Sequence, residues 1–136
     1  MNHDEARQFL AEHHHAVMQT YRRDATAQLS PVVVTTDPDG RAIVSTRETA
    51  VKVSNLANDP RTSLCVFTAA FYGPWIRIDG RAELVHLPEA MEPLIDYYRR
   101  INGEHPDWDA YRTAMEDERR VLVRIGIESV GPDIAG

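Results

Sequence analysis

Apolar residues recur along the chain with two different spacings, and these spacings divide it into helices and strands. Apolar side chains at helical spacing predict four helices, at residues 4–14, 48–57, 88–101 and 108–115. Runs rich in β-branched and aromatic residues predict six strands, at residues 16–21, 28–36, 41–46, 61–71, 75–86 and 119–130. This order predicts a mainly β fold, in which antiparallel strands linked by turns form a small barrel with helices packed on it.

Individual residues within these segments have predictable positions. Asp4 is predicted to cap the first helix, and Val51 is predicted to face inward from the second. Gly80 interrupts the alternation of its strand, which predicts a β-bulge or a close approach of two backbones. Cys65 lies in the apolar run Leu64-Cys65-Val66-Phe67 and is predicted to be a buried core residue.

Length and composition place the chain among small globular proteins. Its 136 residues suit a single domain, taken as residues 1–136. The net charge of −6 argues against a nucleic-acid partner, because such proteins usually carry a basic stripe. The apolar runs are far shorter than the roughly 18 residues of a membrane span, and the acidic first residues do not resemble a secretion signal. With one cysteine and no internal disulfide, we expect a cytoplasmic protein.

Lysine is almost absent from the sequence. Of the 15 basic residues all but Lys52 are arginine, which is the bias expected of a GC-rich genome. Under that bias, a lysine that persists is a candidate for a position that requires lysine, and chance is the alternative. The ammonium group is a compact point charge on a flexible stem, whereas the guanidinium of arginine is a planar fork. A close contact to a phosphate is one use for the compact charge.

The junction between the third strand and the second helix places two hydroxyls ahead of this lysine, in the order Ser45-Thr46-Arg47-Glu48-Thr49-Ala50-Val51-Lys52. Helix N-termini present unpaired N–H groups and a positive dipole end, which favour phosphate. The hydroxyls would add donors, and Lys52 would add a charge-assisted contact. In the alternative interpretation, Ser45 or Thr46 only caps the helix and Lys52 is solvated. These residues by themselves leave both interpretations open.

Longer stretches resemble a known superfamily, the split β-barrels related to pyridoxamine 5'-phosphate oxidase. The resemblance lies in Ser45-Thr46, in Lys52-Val53-Ser54-Asn55-Leu56 with Asp59-Pro60-Arg61, in Gln28-Leu29-Ser30-Pro31, and in the strand from Trp75 through Gly80 to Leu84. A C-terminal block, residues 103–112 and 119–122, is similar to a narrower branch, the F420 (deazaflavin)-dependent oxidoreductases of actinobacteria.

The resemblance implies a fold and an assembly: a six-stranded antiparallel split β-barrel of the FMN-binding type, with short flanking helices, that forms a homodimer with cofactor sites at its interface. It implies that Ser45, Thr46 and Lys52 hold the cofactor phosphate. The residues expected along the ring system are Gln28, Leu29, Ser30, Pro31 and, from the adjoining strand of either subunit, Trp75. Relatives often carry arginines where this chain has Glu48 and Ala50, and Arg47 is the candidate to replace them.

The implied cofactor is coenzyme F420, with FMN as the alternative. The implied reaction is hydride transfer from F420H2 to a small conjugated or aromatic substrate, and the cofactor itself supplies that chemistry. One alternative is an FMN-dependent enzyme of the pyridoxamine-phosphate-oxidase type, and another is a flavin-, deazaflavin- or haem-binding protein without turnover. No catalytic side chain is predicted. No metal site is predicted either, because the consecutive residues His13, His14 and His15 would point in different directions.

Overall fold

Residues 1–132 are described by a computed structural model, and they form six strands and four helices. The strands are β1 (His15–Tyr21), β2 (Ala27–Thr36), β3 (Ala42–Arg47), β4 (Arg61–Phe67), β5 (Trp75–Val85) and β6 (Arg120–Gly131). The helices are α1 (His3–Glu12), α2 (Val51–Asn58), α3 (Met91–Asn102) and α4 (Trp108–Asp117). In these residues no helix has the length and the apolar character needed to cross a membrane.

The six strands close into a barrel in the order β1-β2-β3-β6-β5-β4, and β4 pairs with β1 to complete it. Every neighbouring pair is antiparallel. Closure pairs most of the edge that an open sheet would expose, although β2 and β3 are paired only from Val34 to Thr36 of β2. A closed, antiparallel, six-stranded barrel with peripheral helices confirms the predicted fold class.

Two apolar cores meet on opposite faces of β3. Val44 points into the barrel, where it packs with side chains such as Met18, Leu64 and Ile78. Ile43 points outward and packs in the second core, under α3 and α4. This alternation follows the two-residue period of a strand. Because both faces of β3 are covered, the end of the strand is held firmly between the barrel and the two helices.

Helix α2 connects β3 to β4, which are not neighbours in the barrel, and packs against β1 and β5. Leu56 joins the barrel core. The amide of Asn55 donates a hydrogen bond to Thr20 Oγ1 at 3.0 Å, and the Thr20 hydroxyl donates to Gln28 Oε1 at 3.0 Å. A buried polar group is costly unless it is hydrogen-bonded, so this chain of bonds fixes α2 against β1 and β2.

Three detailed predictions are wrong, each for a local reason. Asn2, rather than Asp4, caps α1: its side chain accepts from the Glu5 N–H at 2.8 Å, and Glu5 returns a bond to the Asn2 N–H. Val51 is 59% exposed, because the inward face of the short helix α2 is taken by residues further along. Cys65 is exposed, since Leu64 and Val66 occupy the inward positions on either side of it.

The irregularity predicted at Gly80 is confirmed. The β5–β6 register shifts between Asp79 and Gly80. At this point the two backbones approach so closely that a Cβ on Gly80 would collide with the carbonyl oxygen of Gly126. Neither partner in that collision is a flexible side-chain end, so a larger residue would force the strands apart.

Replacing Gly80 by alanine is therefore expected to destabilise the protein by about 1–3 kcal/mol. The matched control is Gly126→Ala in the facing strand, where the new Cβ would meet only the carbonyl oxygen of Arg81, at 3.9 Å. We expect the control to change the free energy of unfolding by no more than about 0.5 kcal/mol. Urea denaturation measures both, and equal losses for the two variants would contradict the close approach at Gly80.

Candidate functional site

A cavity of about 1060 Å³ opens beside the end of β3. Its walls come from β1, β2, β3 and β4, from the start of α2, from α3 and α4, and from the first residue of β6. Ligand pockets in proteins usually have volumes of about 300–1,000 Å³. The cavity is thus large enough for a cofactor-sized ligand, and its lining changes from cationic at one end to aromatic along the sides.

The cationic end contains the three residues singled out at the strand–helix junction. Ser45 and Thr46 end β3, Lys52 lies in the first turn of α2, and all three line the cavity. Thr46 is only 5% exposed, and the Lys52 ammonium donates to its Oγ1 at 3.5 Å. Ala50 occupies the N-cap position of α2 and no side chain caps the helix there. The alternative interpretation, in which Ser45 or Thr46 serves as the helix cap, is therefore wrong.

Lys52 lacks a carboxylate partner among residues 1–132. Thr46 is its hydrogen-bond partner, and none of the ion pairs within that range involves it. Burial, reinforced by the nearby charge of Arg120, lowers the pKa of Lys52 below its ordinary value. A partly buried cation without a counter-ion raises the free energy of the protein until an anion binds beside it.

Two arginines flank this lysine from neighbouring strands. Arg47 and Arg120 are directly paired across β3 and β6, and both line the cavity. Glu118 bonds to both: its Oε1 accepts from Arg120 Nη2 at 2.7 Å and Nε at 3.1 Å, and from Arg47 Nη2 at 3.4 Å. Hydrogen bonds from Arg120 are the main reason that the pKa of Glu118 is lowered. Three cations and one carboxylate leave this end of the cavity with a surplus of positive charge.

Tyrosines from α3 and α4 form one side wall of the cavity. The Tyr97 hydroxyl donates to the Val33 carbonyl oxygen at 2.8 Å, and the Tyr111 hydroxyl donates to the Leu94 carbonyl oxygen at 2.8 Å. Burial raises the pKa of Tyr97, and burial is also the main cause that raises the pKa of Tyr111 to about 12. Tyr98 lines the same wall. Protonated phenols bound to the backbone make this wall an aromatic surface for packing.

A second wall of the cavity is the outer face of the barrel, and the Tyr97 bond to Val33 joins it to the tyrosine wall. His15, Val33 and Phe67 are direct neighbours across β2, β1 and β4, and their side chains line the cavity together with Pro31. Sequence analysis missed His15, Phe67, the three tyrosines and Arg120. Strand alternation alone could have placed His15 and Phe67 on the outer face, but bringing them together requires the pairing register, which no local pattern encodes.

The predicted cofactor residues divide into two groups within the chain. Ser45, Thr46, Arg47, Lys52 and Pro31 come together at the cavity. The others, Gln28, Leu29, Ser30 and Trp75, lie outside its lining.

Each member of the second group has a different environment. Gln28 accepts the Thr20 hydrogen bond inside the barrel, and the buried Ser30 hydroxyl has no hydrogen-bond partner in the described part of the chain. Leu29 is 62% exposed and Trp75 is 37% exposed on the outer surface. These two side chains lie on strands that are not neighbours, so they do not form one apolar patch.

Comparison with known proteins assigns the family. The family model described as pyridoxamine 5'-phosphate oxidase matches residues 3–132. The chain belongs to the pyridoxamine 5'-phosphate oxidase family. That assignment confirms the resemblance carried by the Ser-Thr pair, the lysine and the strands on either side of them.

One relative and two solved structures show the degree of similarity between this chain and known proteins. The F420H2-dependent biliverdin reductase of Mycobacterium tuberculosis (strain CDC 1551 / Oshkosh) is 29% identical over 127 residues, which are 93% of this chain and 85% of the relative. A conserved hypothetical protein from Mycobacterium tuberculosis has the same fold, with a TM-score of 0.77 and 22% identity over 100% of this chain and 92% of its own. The haem storage protein of Vibrio cholerae superposes with a TM-score of 0.72 and 15% identity, covering 94% and 92%.

Removing the charge of Lys52 is expected to stabilise the empty protein while weakening anion binding. Lys52→Met relieves a partly buried, unpaired cation, and we expect the free energy of unfolding to rise by about 0.5 kcal/mol. The control, Arg23→Met, removes an exposed cation together with its 3.1 Å hydrogen bond to Asn58 Oδ1, so no such gain is expected. Urea denaturation without ligand measures the change in the free energy of unfolding. A lower stability for Lys52→Met would show that its charge is already balanced.

Proposed function

We propose that this member of the pyridoxamine 5'-phosphate oxidase family is an F420H2-dependent reductase of a small conjugated or aromatic substrate. One observation carries the proposal: a cofactor-sized cavity ends at Lys52, a cation without a carboxylate partner in residues 1–132, next to two hydroxyls. Such an end suits the phosphate of a flavin-like cofactor. The F420 dependence of the 29% identical relative favours deazaflavin over FMN.

In this proposal, different parts of the cavity bind different parts of the cofactor. Ser45, Thr46, Arg47 and Lys52 would hold the phosphate-bearing tail, and the tyrosine wall and the outer face of the barrel would contact the ring system. The bound deazaflavin supplies a hydride, so the protein has to orient the ring and leave one face open to substrate. The aromatic walls exclude water from the ring, and the bound phenols of Tyr97 and Tyr111 hold those walls in place.

We also propose a cytoplasmic homodimer in which the second subunit completes the site. The outer face of β2 presents Leu29, Pro31 and Val33, and all three side chains are exposed. This row leads along the sheet to the cavity wall, where Pro31 and Val33 already belong to the lining. A second copy seated on this face would cover Leu29 and bring it, with the Gln28–Pro31 segment, next to a cavity.

Binding of a haem group without turnover is the second candidate. His15 lines the cavity and would offer an imidazole to haem iron. FMN is the alternative flavin, because the family is defined by an oxidase of that chemistry. F420, FMN and haem would all place negative groups at the same cationic end. Direct binding measurements are therefore needed to distinguish them.

The test of function is titration of the purified protein with F420, FMN and haemin, followed by turnover. We expect saturable F420 binding, and oxidation of F420H2 when a conjugated acceptor such as biliverdin is added. Lys52→Met should weaken F420 binding by about 10- to 100-fold, because one charge-assisted contact is lost. Tight FMN or haemin binding with no affinity for F420 would refute the proposal, and so would F420 binding that Lys52→Met leaves unchanged.

The dimer is tested by solution mass. Leu29→Arg places a charge in the middle of the proposed apolar interface, and we expect it to give monomers at micromolar concentration together with weaker F420 binding. The control, Thr113→Arg, adds the same charge to an exposed position on α4 and should leave the dimer intact. A monomeric parent protein, or a Leu29→Arg variant that stays dimeric, would contradict the proposed interface.

A further inference from the structure

We propose that Arg120 is a second anion-binding residue of the cavity and that Glu118 is its positioning residue, a proposal that rests on the proposed function for the identity of the ligand. The structure thereby assigns part of the cofactor site to β6, where Arg120 is paired with Arg47 at the end of β3. Glu48 and Ala50 bring no positive charge to the loop ahead of α2. Arg120 supplies that charge from another strand.

The geometry of Arg120 leaves part of its guanidinium free for a ligand. Glu118 Oε1 accepts from Nε and from one N–H of Nη2, at 3.1 and 2.7 Å. A guanidinium has five N–H donors in a fixed plane, so three remain. Arg120 lines the cavity and its side chain is 26% exposed, whereas Glu118 is not among the lining residues. The carboxylate therefore holds one edge of the guanidinium while the cavity gives access to other donors.

A backbone hydrogen bond connects the segment that carries Glu118 and Arg120 to the loop before α2. Glu118 is the C-cap residue that follows α4, Arg119 has a φ of 51°, and Arg120 begins β6. A left-handed conformation at a residue other than glycine costs about 1–2 kcal/mol, so the surroundings must stabilise it. They do so at two points: the Arg119 N–H donates to Glu116 O at 3.1 Å, and the Glu48 N–H donates to Arg119 O at 2.9 Å.

The positions of the charges favour a multiply charged ligand. Lys52, Arg47 and Arg120 contribute three positive charges and Glu118 one negative charge, which leaves a surplus of two. The charge of Arg120 acts on Lys52 strongly enough to contribute to the lowered pKa of the lysine. A phosphate ester with a second negative group would relieve this repulsion, and a neutral ligand would not.

Four variants and one control separate the roles of these residues. Arg120→Gln removes the charge, and Arg120→Lys keeps a charge but loses the planar fork. Glu118→Ala removes the acceptor, whereas Glu118→Gln keeps an oxygen that the arginine can still reach. Arg124→Gln is the control, because Arg124 lies on the same strand but outside this cavity. Dissociation constants for oxidised F420 come from fluorescence titration, and thermal shifts with inorganic pyrophosphate provide a probe independent of the deazaflavin ring.

We expect Arg120→Gln to weaken F420 binding by about 10- to 100-fold, and Arg120→Lys and Glu118→Ala to weaken it by about 3- to 10-fold. Glu118→Gln should bind within about threefold of the parent or more tightly, since the acceptor stays while a repulsive charge goes. A carboxylate with a merely structural role would not give this restoration of F420 binding in Glu118→Gln. If Arg120→Gln does not fold, Arg120→Lys decides the matter, and parent-like binding by that variant overturns the proposal.

Two further results would overturn it: Arg120→Gln binding as tightly as the Arg124→Gln control, or Glu118→Ala binding more tightly than the parent. The second result would make Glu118 a competitor of the ligand instead of a positioning residue. If the parent protein does not bind F420 but pyrophosphate raises its melting temperature in a way that depends on Arg120, the proposed function is refuted and the anion site is supported. F420 binding that depends on Lys52 but not on Arg120 would support the proposed function and refute the role of Arg120.

Discussion

The double burial of β3 is the constraint on which the rest of the structure depends. One face of this strand belongs to the barrel core and the other to the core beneath α3 and α4. A strand clamped in this way has little freedom to twist or slide, so the residues at its end are held in fixed positions. Ser45, Thr46 and Arg47 occupy that end. The tyrosine wall and the cationic end of the cavity are therefore positioned by the same two cores that stabilise the fold.

Much of this architecture could be predicted from local patterns. The strand and helix periods placed all ten elements close to their observed bounds, because alternation and helical spacing report directly on which side chains are buried. Gly80 was identified as a bulge because a glycine within a strand marks a place where backbones approach. Lys52 stood out because it is the one lysine in an arginine-rich chain, and the structure places it, partly buried and without a carboxylate neighbour in residues 1–132, inside the cavity.

The remaining errors and omissions have physical causes that a single sequence does not display. Cys65 was assigned to the core because its neighbours are apolar, but side chains alternate along a strand and its two flanking residues take the inward positions. Arg120 was not recognised because its importance comes from strand pairing across the barrel, 68 residues along the chain from Lys52. His15 and Phe67 became neighbours only through the registers of β1 with β2 and β4. Contacts of this kind depend on long-range pairing rather than on local propensity.

Closure of the barrel also limits how this protein can associate with others. Open sheets can grow by strand addition, through backbone hydrogen bonds that are indifferent to sequence. In this barrel every strand has a neighbour on both sides, and the stretch of β2 from Ala27 to Val33, which pairs with β1 alone, is a short exception. Contact between two copies on a barrel face would depend on side chains, where shape and charge decide the fit. Association governed in this way is selective among similar proteins, and evolution can redirect it by a few surface substitutions while the backbone framework stays the same.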